Sequence, residues 1–483
     1  RRARAGVVEL VRVRRAQRHA RLGSRSLRSP SSLFTLAAAR DAAVEADIRE
    51  LDGRSVAWFR LAGGKHHGAV GQVEGEVLSR LVTTATDIGV PIVGVLDTSG
   101  AEVAQGVVSL HAWGTVARAL VQASGVVPIV LVVVGPCVSG PSLLLGIADV
   151  VVMTSDAFAY VSGPGPVAQM TGVDVSHDTL GGAATHGVHT GVAALVAADE
   201  DEALEHVRDV LAFLPANNME EPSRQFCDDP ADRDCATAAV TVPASASMAY
   251  DVRVVIADVV DDGCLLELRA RHAGNVVTAL ATIEGAPVGV IANQACQLAG
   301  TLDIAASQKA ARFVQFCDAF NLPLVTFVDT PGFQPGKDIE WRGMIRHGAQ
   351  LVHAYAAATV PRVSVMLRKA YGGAFIVMDS KGLGNDACFA WPDAELAVMG
   401  APGAVQVLHG KRIKSGEIDD VERLRLEDDY AAQYCNPTIA AQRGYVDDVI
   451  SPTDTRRAVA FALRALRTKR EHLPQRRHAN TPL

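Results

Sequence analysis

The feature that most constrains this chain is that it repeats itself. The stretch "VPIVLVVVGPCVSGP" (127–141) aligns with "VPRVSVMLRKAYGGA" (360–374). Both open with Val-Pro, β-branched residues alternate at the same steps, and Gly140 falls opposite Gly373. Upstream of each lies a second matched pair, "VPIVGVLDTSG" (90–100) and "LPLVTFVDTPG" (322–332). It sets Pro91 opposite Pro323, Asp97 opposite Asp329 and Gly100 opposite Gly332. Two strands at one spacing from the same glycines, found twice, mean two copies of one α/β unit. The polar, weakly periodic stretch at 220–245 separates them and reads as a linker. The first domain is therefore expected over 1–235 and the second over 246–483.

Within each copy, short β-branched runs alternate with helix-like segments such as "AASQKAARFVQFCDAF" (305–320). Its Ala311, Val314, Phe316 and Phe320 recur at roughly helical spacing. This alternation predicts sheets covered on their faces by helices. The uncharged run 126–147 is long enough to suggest a membrane span. Pro128, Pro136, Pro141 and several glycines break it into a short buried strand, a turn and the start of a buried helix.

Composition narrows the class further. A chain of 483 residues exceeds one ordinary core, and 49% hydrophobic with 20% charged residues describes a globular protein. A net charge of -7 gives no reason to expect a nucleic-acid partner. The eight cysteines form no CxxC or metal-like spacing, so they read as buried thiols in a reducing compartment. Residues 1–28 are arginine-rich with Glu9 as their single acid. A solvated helix is the expectation there, with a transit peptide as the other reading. Abundant Arg, Ala and Val with few Lys suit a GC-rich bacterial source and the cytoplasm; the mitochondrial matrix is the alternative.

A buried strand that ends in Gly372-Gly373-Ala374 raises a chemical question. A strand delivering glycines to a helix start presents unpaired N–H groups and a partial positive charge. Such a turn suits a phosphate, or an oxyanion that develops during reaction. Neither GxxxxGK[ST] nor GxGxxG frames these turns, which leaves the oxyanion; close helix–strand packing is the structural alternative. Recurrence of the turn in both halves favours function. There is no GxSxG elbow. Cys137 is expected to be a small buried thiol, His66-His67 a surface loop, and Asp97 and Asp329 turn-capping groups. With no obvious side-chain base, backbone donors plus a base carried on a cofactor fit the pattern.

The segments "RKAYGGAF", "FVDTPGFQPG", "ARFVQFCDAFNLPL", "IRHGAQL", "FAWPDAELAVMGAPGAV" and the ending "RRHANTPL" together resemble one family. It is the carboxyltransferase (β) subunit of biotin-dependent acyl-CoA carboxylases, of the propionyl-CoA and actinobacterial acyl-CoA type. The resemblance spans almost the whole chain and is most specific in the C-terminal half. It implies an α/β fold of tandem crotonase-like (ClpP/crotonase) domains, each a twisted β-sheet superhelix flanked by helices. Acyl-CoA would bind the N-terminal domain of one subunit and biotin the C-terminal domain of a partner. The implied reaction moves CO2 from carboxybiotin to the α-carbon of an acetyl- or propionyl-type CoA, giving malonyl- or methylmalonyl-CoA. The biotin ureido nitrogen would remove the α-proton. By motif match, Gly373 and Ala374 would donate backbone N–H groups on the biotin side, and the turn holding Ser139 and Gly140 would do so on the acyl side. Gly372, Phe375, Ile376, Pro331, Gly332 and Phe333 would line the biotin site; no metal is implied. The sequence carries no Met-Lys biotinylation motif and no recognisable ATP-binding signature. Biotin would therefore arrive on a separate carrier, with ATP and bicarbonate used by a biotin carboxylase (α) partner. A homo-hexamer, or a hetero-hexamer with a paralogous β subunit, follows from the same resemblance.

The N-terminal half departs from the family pattern in three places. The acyl-side turn reads "CVSGPS", with Ser139 in place of a glycine and Pro141 lacking an N–H. Glu102 stands where an arginine is usual, and "GGKHHGAVG" (63–71) replaces a "GGSLG" stretch. Three readings stay open: an active enzyme with an altered acyl pocket, a non-catalytic paralogue within a carboxylase complex, and a malonyl-type-CoA decarboxylase or transcarboxylase.

Overall fold

The computed structural model describes residues 32–35, 42–245 and 247–482. The arginine-rich segment 1–28 lies outside them. The first half runs β1 (Ser32–Thr35), β2 (Val44–Leu51), β3 (Arg54–Leu61), α1 (Gln72–Ile88), β4 (Ile92–Thr98), α2 (Val107–Ala123) and β5 (Ile129–Val138). It continues through β6 (Val150–Thr154), β7 (Phe158–Tyr160), β8 (Leu195–Ala197) and α3 (Glu200–Leu211). The second half runs β9 (Leu265–Glu267), β10 (Val276–Ile283), β11 (Ala286–Asn293), α4 (Ile304–Ala319), β12 (Leu324–Thr330), α5 (Met344–Ala357) and β13 (Arg362–Tyr371). It continues through α6 (Gly372–Val377), β14 (Ala387–Ala390), β15 (Glu395–Ala397), β16 (Asp448–Val449) and α7 (Thr455–Leu466).

The two sheets have the same wiring. One is ordered β1-β2-β3-β4-β5-β6-β8 with β7 beside β5, and the other β9-β10-β11-β12-β13-β14-β16 with β15 beside β13. Each begins with an antiparallel hairpin and continues parallel. Local sequence explains the hairpins. Asp52-Gly53 (φ 50 and 81) and Glu284-Gly285 (φ 53 and 73) take positive φ at both central residues, as a two-residue turn matching strand twist requires.

The parallel strand β5 packs into a hydrophobic core on each face, which is why its first half is an unbroken apolar run. In β5, Val130 and Val132 belong to one core and Ile129, Leu131 and Val133 to another, all at most 1% exposed. Helix α4 shows the predicted pattern, with Ala311, Val314 and Phe316 buried and Phe320 closing its C-terminus. Its start is capped by the Asp303 carboxylate, which accepts the Ala306 N–H at 2.8 Å. The uncharged run folds as the strand β5 followed by a turn; a 3-10 helix (Gly140–Gly146) stands where the start of a longer helix was expected. Among the described residues no helix is long and apolar enough to cross a membrane.

The stretch between the repeats is packed against the second half. The Arg456 guanidinium of α7, fully buried, donates to the Asp229, Pro230 and Val259 carbonyls and pairs with Asp261 at 2.7 Å. Cys235 and Ala238 sit in the core beneath α7. All eight cysteines are free thiols; five are buried, while Cys227 and Cys264 are half-buried and Cys296 is exposed.

The halves share one hydrophobic cluster in which the Val56, Val95, Val130 and Val152 face of the first sheet meets Phe313, Phe316 and Phe320 around α4. Polar groups rim this seam. Arg312 of α4 donates to the Ala148 carbonyl at 3.2 Å and approaches the Asp149 carboxylate at 3.4 Å, while Arg269 donates to the Gly191 carbonyl at 2.8 Å. Asp149 also accepts the Ile129 N–H at 2.9 Å. Burial pushes its pKa up to about 6, against the pull of Arg312 and that N–H. A carboxyl raised above its unfolded value of about 3.9 contributes stability that is full below that value. The contribution is lost as pH rises through the folded pKa. Asp149→Asn should therefore flatten the decline in melting temperature between pH 5 and pH 7. Thermal melts of wild type and variant across that range check this.

Candidate active site

Both turns are built by the same irregularity. Leu96 pairs with Val133 but Thr98 pairs with Cys137; likewise Val328 pairs with Met366 and Thr330 with Ala370. β5 and β13 thus carry extra residues that bend their tips out of the sheet. Each tip then pairs with a short strand, β7 or β15, and ends in a left-handed residue.

In the second half that residue is Gly372, with φ 59, and α6 begins there. The first N–H groups of a helix have no intrahelical acceptor, so those of Gly373 and Ala374 are uncommitted. Gly373 is exposed and Ala374 fully buried. A side chain at Gly373 would meet only the Phe333 ring, 3.6 Å from its Cβ position. The loop carrying Pro331, Gly332 and Phe333 is held by a short bridge between Leu302 and Phe333, and Gly332 takes φ 143. Gly372, Gly373 and Phe333 therefore meet at one surface. Phe375 turns toward the core, while Ile376 stays 42% exposed.

The first half reproduces the backbone with different chemistry. Ser139 occupies the place of Gly372 and takes φ 63, ψ -151, a conformation that glycine alone adopts without strain. Serine was expected to restrict φ here; strand pairing holds it in the left-handed region nonetheless. Its N–H donates to the Tyr160 carbonyl at 2.9 Å, Pro141 has none, and the Ser142 N–H donates to the Ser139 carbonyl at 3.1 Å. Across 139–142 only the Gly140 N–H remains uncommitted.

Asp97 and Asp329 correct an expectation. Turn capping falls to the next residues, where the Thr98 and Thr330 hydroxyls accept the Gly100 and Gly332 N–H groups at 3.1 and 3.4 Å. Asp329 instead pins the bulge of β13. It pairs with Arg368 at 3.0 Å in the interior and accepts the Lys369 N–H at 3.1 Å. Arg368 also donates to the Ser245 and Met248 carbonyls, tying this strand tip to the inter-repeat segment. At the matching place Asp97 faces Gly135, which offers no counterpart of Arg368, and the cation it acts on is Arg60 of β3. Behind Gly372, the Tyr371 hydroxyl donates to the Glu395 carboxylate, and burial plus that carboxylate keep Tyr371 protonated. Arg368, Tyr371 and Glu395 lie within the family-like segments quoted above but were given no role of their own, although an arginine inside a buried strand was an available signal.

Other groups take no part in this geometry. Cys137 is fully buried and its pKa is pushed up to about 12, so it offers no thiolate. His66 and His67 are exposed in a left-handed loop that Leu298 and Ala299 repeat in the second half. Among the described residues no His, Cys, Asp or Glu cluster could hold a metal ion.

Two bulged strands, one in each half, thus end in turns that present backbone N–H groups. A carboxyl transferase domain model matches residues 27–481. The chain is 45% identical over 447 residues to the propionyl-CoA carboxylase beta chain of Saccharopolyspora erythraea, covering 90% of this chain and 82% of that one. It is 43% identical over 420 residues to the methylmalonyl-CoA carboxyltransferase 12S subunit of Propionibacterium freudenreichii subsp. shermanii, covering 86% and 79%. A solved transcarboxylase 12S hexamer with methylmalonyl-coenzyme A and methylmalonic acid bound superimposes with a TM-score of 0.88. It is 41% identical, over 91% of this chain and 85% of that one. The chain belongs to the carboxyl transferase family. It is an enzyme of the biotin-dependent acyl-CoA carboxyltransferase type, with the crotonase-like fold in both halves.

The strain at Ser139 is measurable. Ser139→Gly should raise stability by about 1–2 kcal/mol, because glycine adopts this conformation without steric cost. Denaturant titration of the two proteins checks it, and an unchanged or lower midpoint would contradict the strain.

Proposed function

We propose that this chain is the carboxyltransferase subunit that takes a carboxyl group from biotin on a separate carrier protein and places it on the α-carbon of an acetyl- or propionyl-type CoA. The observation that carries this reading is the pair of matched turns, each ending a bulged strand, with the Gly140 N–H uncommitted in the first half and those of Gly373 and Ala374 in the second. The half spanning about 1–235 is the acyl-CoA side, and the half spanning about 246–483 the biotin side.

The second turn fits a flat, uncharged ureido ring. Gly373 leaves room for close approach, Phe333 supplies an apolar wall, and the start of α6 supplies donors. Gly373 and Ala374 would hold the ureido oxygen from their backbone, with Gly372, Pro331, Gly332, Phe333, Phe375 and Ile376 around it. Biotin, when bound, supplies the carboxyl group and the nitrogen that takes the α-proton. The first turn polarises the thioester carbonyl, so that negative charge developing on its oxygen is met by Gly140. Such donors act because they are already oriented when the charge appears. The loss of an N–H at Pro141 marks an altered acyl side of an active enzyme. The intact second turn and its buried ion pair support activity over a purely structural role.

The same reading implies a biotin carboxylase and carrier partner that consumes ATP and bicarbonate, a hexamer of this chain alone or with a paralogous β subunit, and a bacterial cytoplasm. No membrane or nucleic-acid partner is proposed.

Transfer is measured directly by incubating the purified chain with biotinylated carrier, its biotin carboxylase, ATP and labelled bicarbonate, then offering acetyl-, propionyl- and longer acyl-CoAs. Label is expected in a short acyl-CoA. Gly373→Val should lower the rate by about a hundredfold or more, the scale of losing an oxyanion donor. Its fold should persist, since a Cβ there meets only Phe333 at 3.6 Å. Absence of label with every acyl-CoA, despite carrier binding, would favour the non-catalytic reading.

A further inference from the structure

The acyl-side turn has lost one backbone donor, and a side chain stands beside the gap. Trp113 lies on α2, and its ring packs directly against the backbone of Gly140. A Cβ at Gly140 would stand 2.8 Å from the Trp113 Cε2, 2.9 Å from Cζ2 and 3.0 Å from Nε1. Gly140 is therefore a glycine because the indole occupies the space a side chain would need. The Trp113 Nε1–H is shielded from solvent and has no hydrogen-bond partner. Leaving a buried N–H unpaired is costly, so its retention calls for an acceptor that is present at some stage.

The positions of the two N–H groups are compatible with one acceptor. Gly140 N is about 2.5 Å from its own Cβ position by standard geometry, which puts Nε1 within roughly 5.5 Å of it. Two donors each about 2.9 Å from a single oxygen can be up to about 5.8 Å apart. The other N–H groups at 139–142 are already bonded or missing. The second half uses two adjacent backbone positions, Gly373 and Ala374, where the first has Gly140 and Pro141.

We infer that the Trp113 indole N–H is a catalytic donor that replaces the N–H missing at Pro141, so that Gly140 and Trp113 together receive the thioester oxygen as it gains negative charge. This rests on the acyl-side reading proposed above. In this role Trp113 touches the substrate only at the carbonyl oxygen. Its contribution grows as charge develops there, so it stabilises the enolate more than the ground-state thioester.

Trp113→Phe keeps an aromatic ring on α2 and removes the donor together with part of the indole's bulk. The comparison of two ligands, which a general packing loss would weaken alike, therefore carries the test. Isothermal titration of wild type and variant would use propionyl-CoA and a CoA thioether ending in a nitronate, an isostere of the thioester enolate. The variant is expected to bind the nitronate about a hundredfold more weakly and propionyl-CoA within about threefold of wild type, as loss of one oxyanion donor predicts. Equal weakening of both ligands, or of neither, overturns the assignment while leaving the acyl-side reading intact, provided the wild type prefers the nitronate. A wild type with no such preference overturns both. As a measurement that needs no variant to fold, the tryptophan side chains are labelled with 15N and the four indole N–H signals followed. One signal should move downfield when the nitronate is added, and four unmoved signals would overturn the assignment.

Discussion

The structure depends on what happens where a strand buried on both faces runs out of its sheet. Side chains of β5 and β13 are committed to the two cores, so the strand can present little but backbone once it leaves them. A bulge lifts each tip, a left-handed residue turns it, and the N–H groups that follow have no acceptors within the chain's regular structure. In the proposed reaction the chemistry falls to backbone dipoles fixed before any substrate arrives, which is the condition under which such donors are most effective.

The halves hold this device differently. In the second, the buried Arg368–Asp329 pair fastens the bulge, and Tyr371 with Glu395 braces the residue before Gly372. Breaking such a pair would leave a charge stranded in the interior, so the arrangement tolerates little change. In the first, Gly135-Pro136 occupies the bulge and Asp97 has no counterpart of Arg368 to pair with there. That turn instead accepts a strained serine and a proline. The two sites share a backbone path but differ in what secures it, and the first has more freedom to diverge.

The seam between the halves connects these sites. Helix α4 follows β11 in the second sheet, yet its aromatic face packs against the first sheet and its Arg312 reaches Ala148 and Asp149. Lys309 on the same helix donates to the Arg269, His272 and Val276 carbonyls, fixing the loop whose Arg269 and His272 reach the Gly191 and Val188 carbonyls. Relative movement of the two turns would have to disturb this packed and hydrogen-bonded layer.

The repeat of Val-Pro strands and glycine turns determined that the chain holds two copies of one α/β unit, because strand and helix periods are local properties of the residue order. Asp52-Gly53, Asp303 and the apolar run of β5 likewise acted through immediate neighbours. Candidate turns at Ser139-Gly140 and Gly372-Gly373-Ala374 were legible for the same reason: absent side chains are visible in the sequence itself. Sequence reasoning gave Asp97 and Asp329 a local capping role, whereas the fold sets Asp329 against Arg368, 39 positions later, and gives capping to Thr98 and Thr330. Serine at 139 suggested restricted φ, but pairing with Tyr160 holds it in the left-handed region. The encounter of Trp113 with Gly140 was equally invisible in the sequence. Such contacts depend on how a helix lies across a strand tip, and that placement is fixed by packing of the whole core, not by the order of residues near the turn.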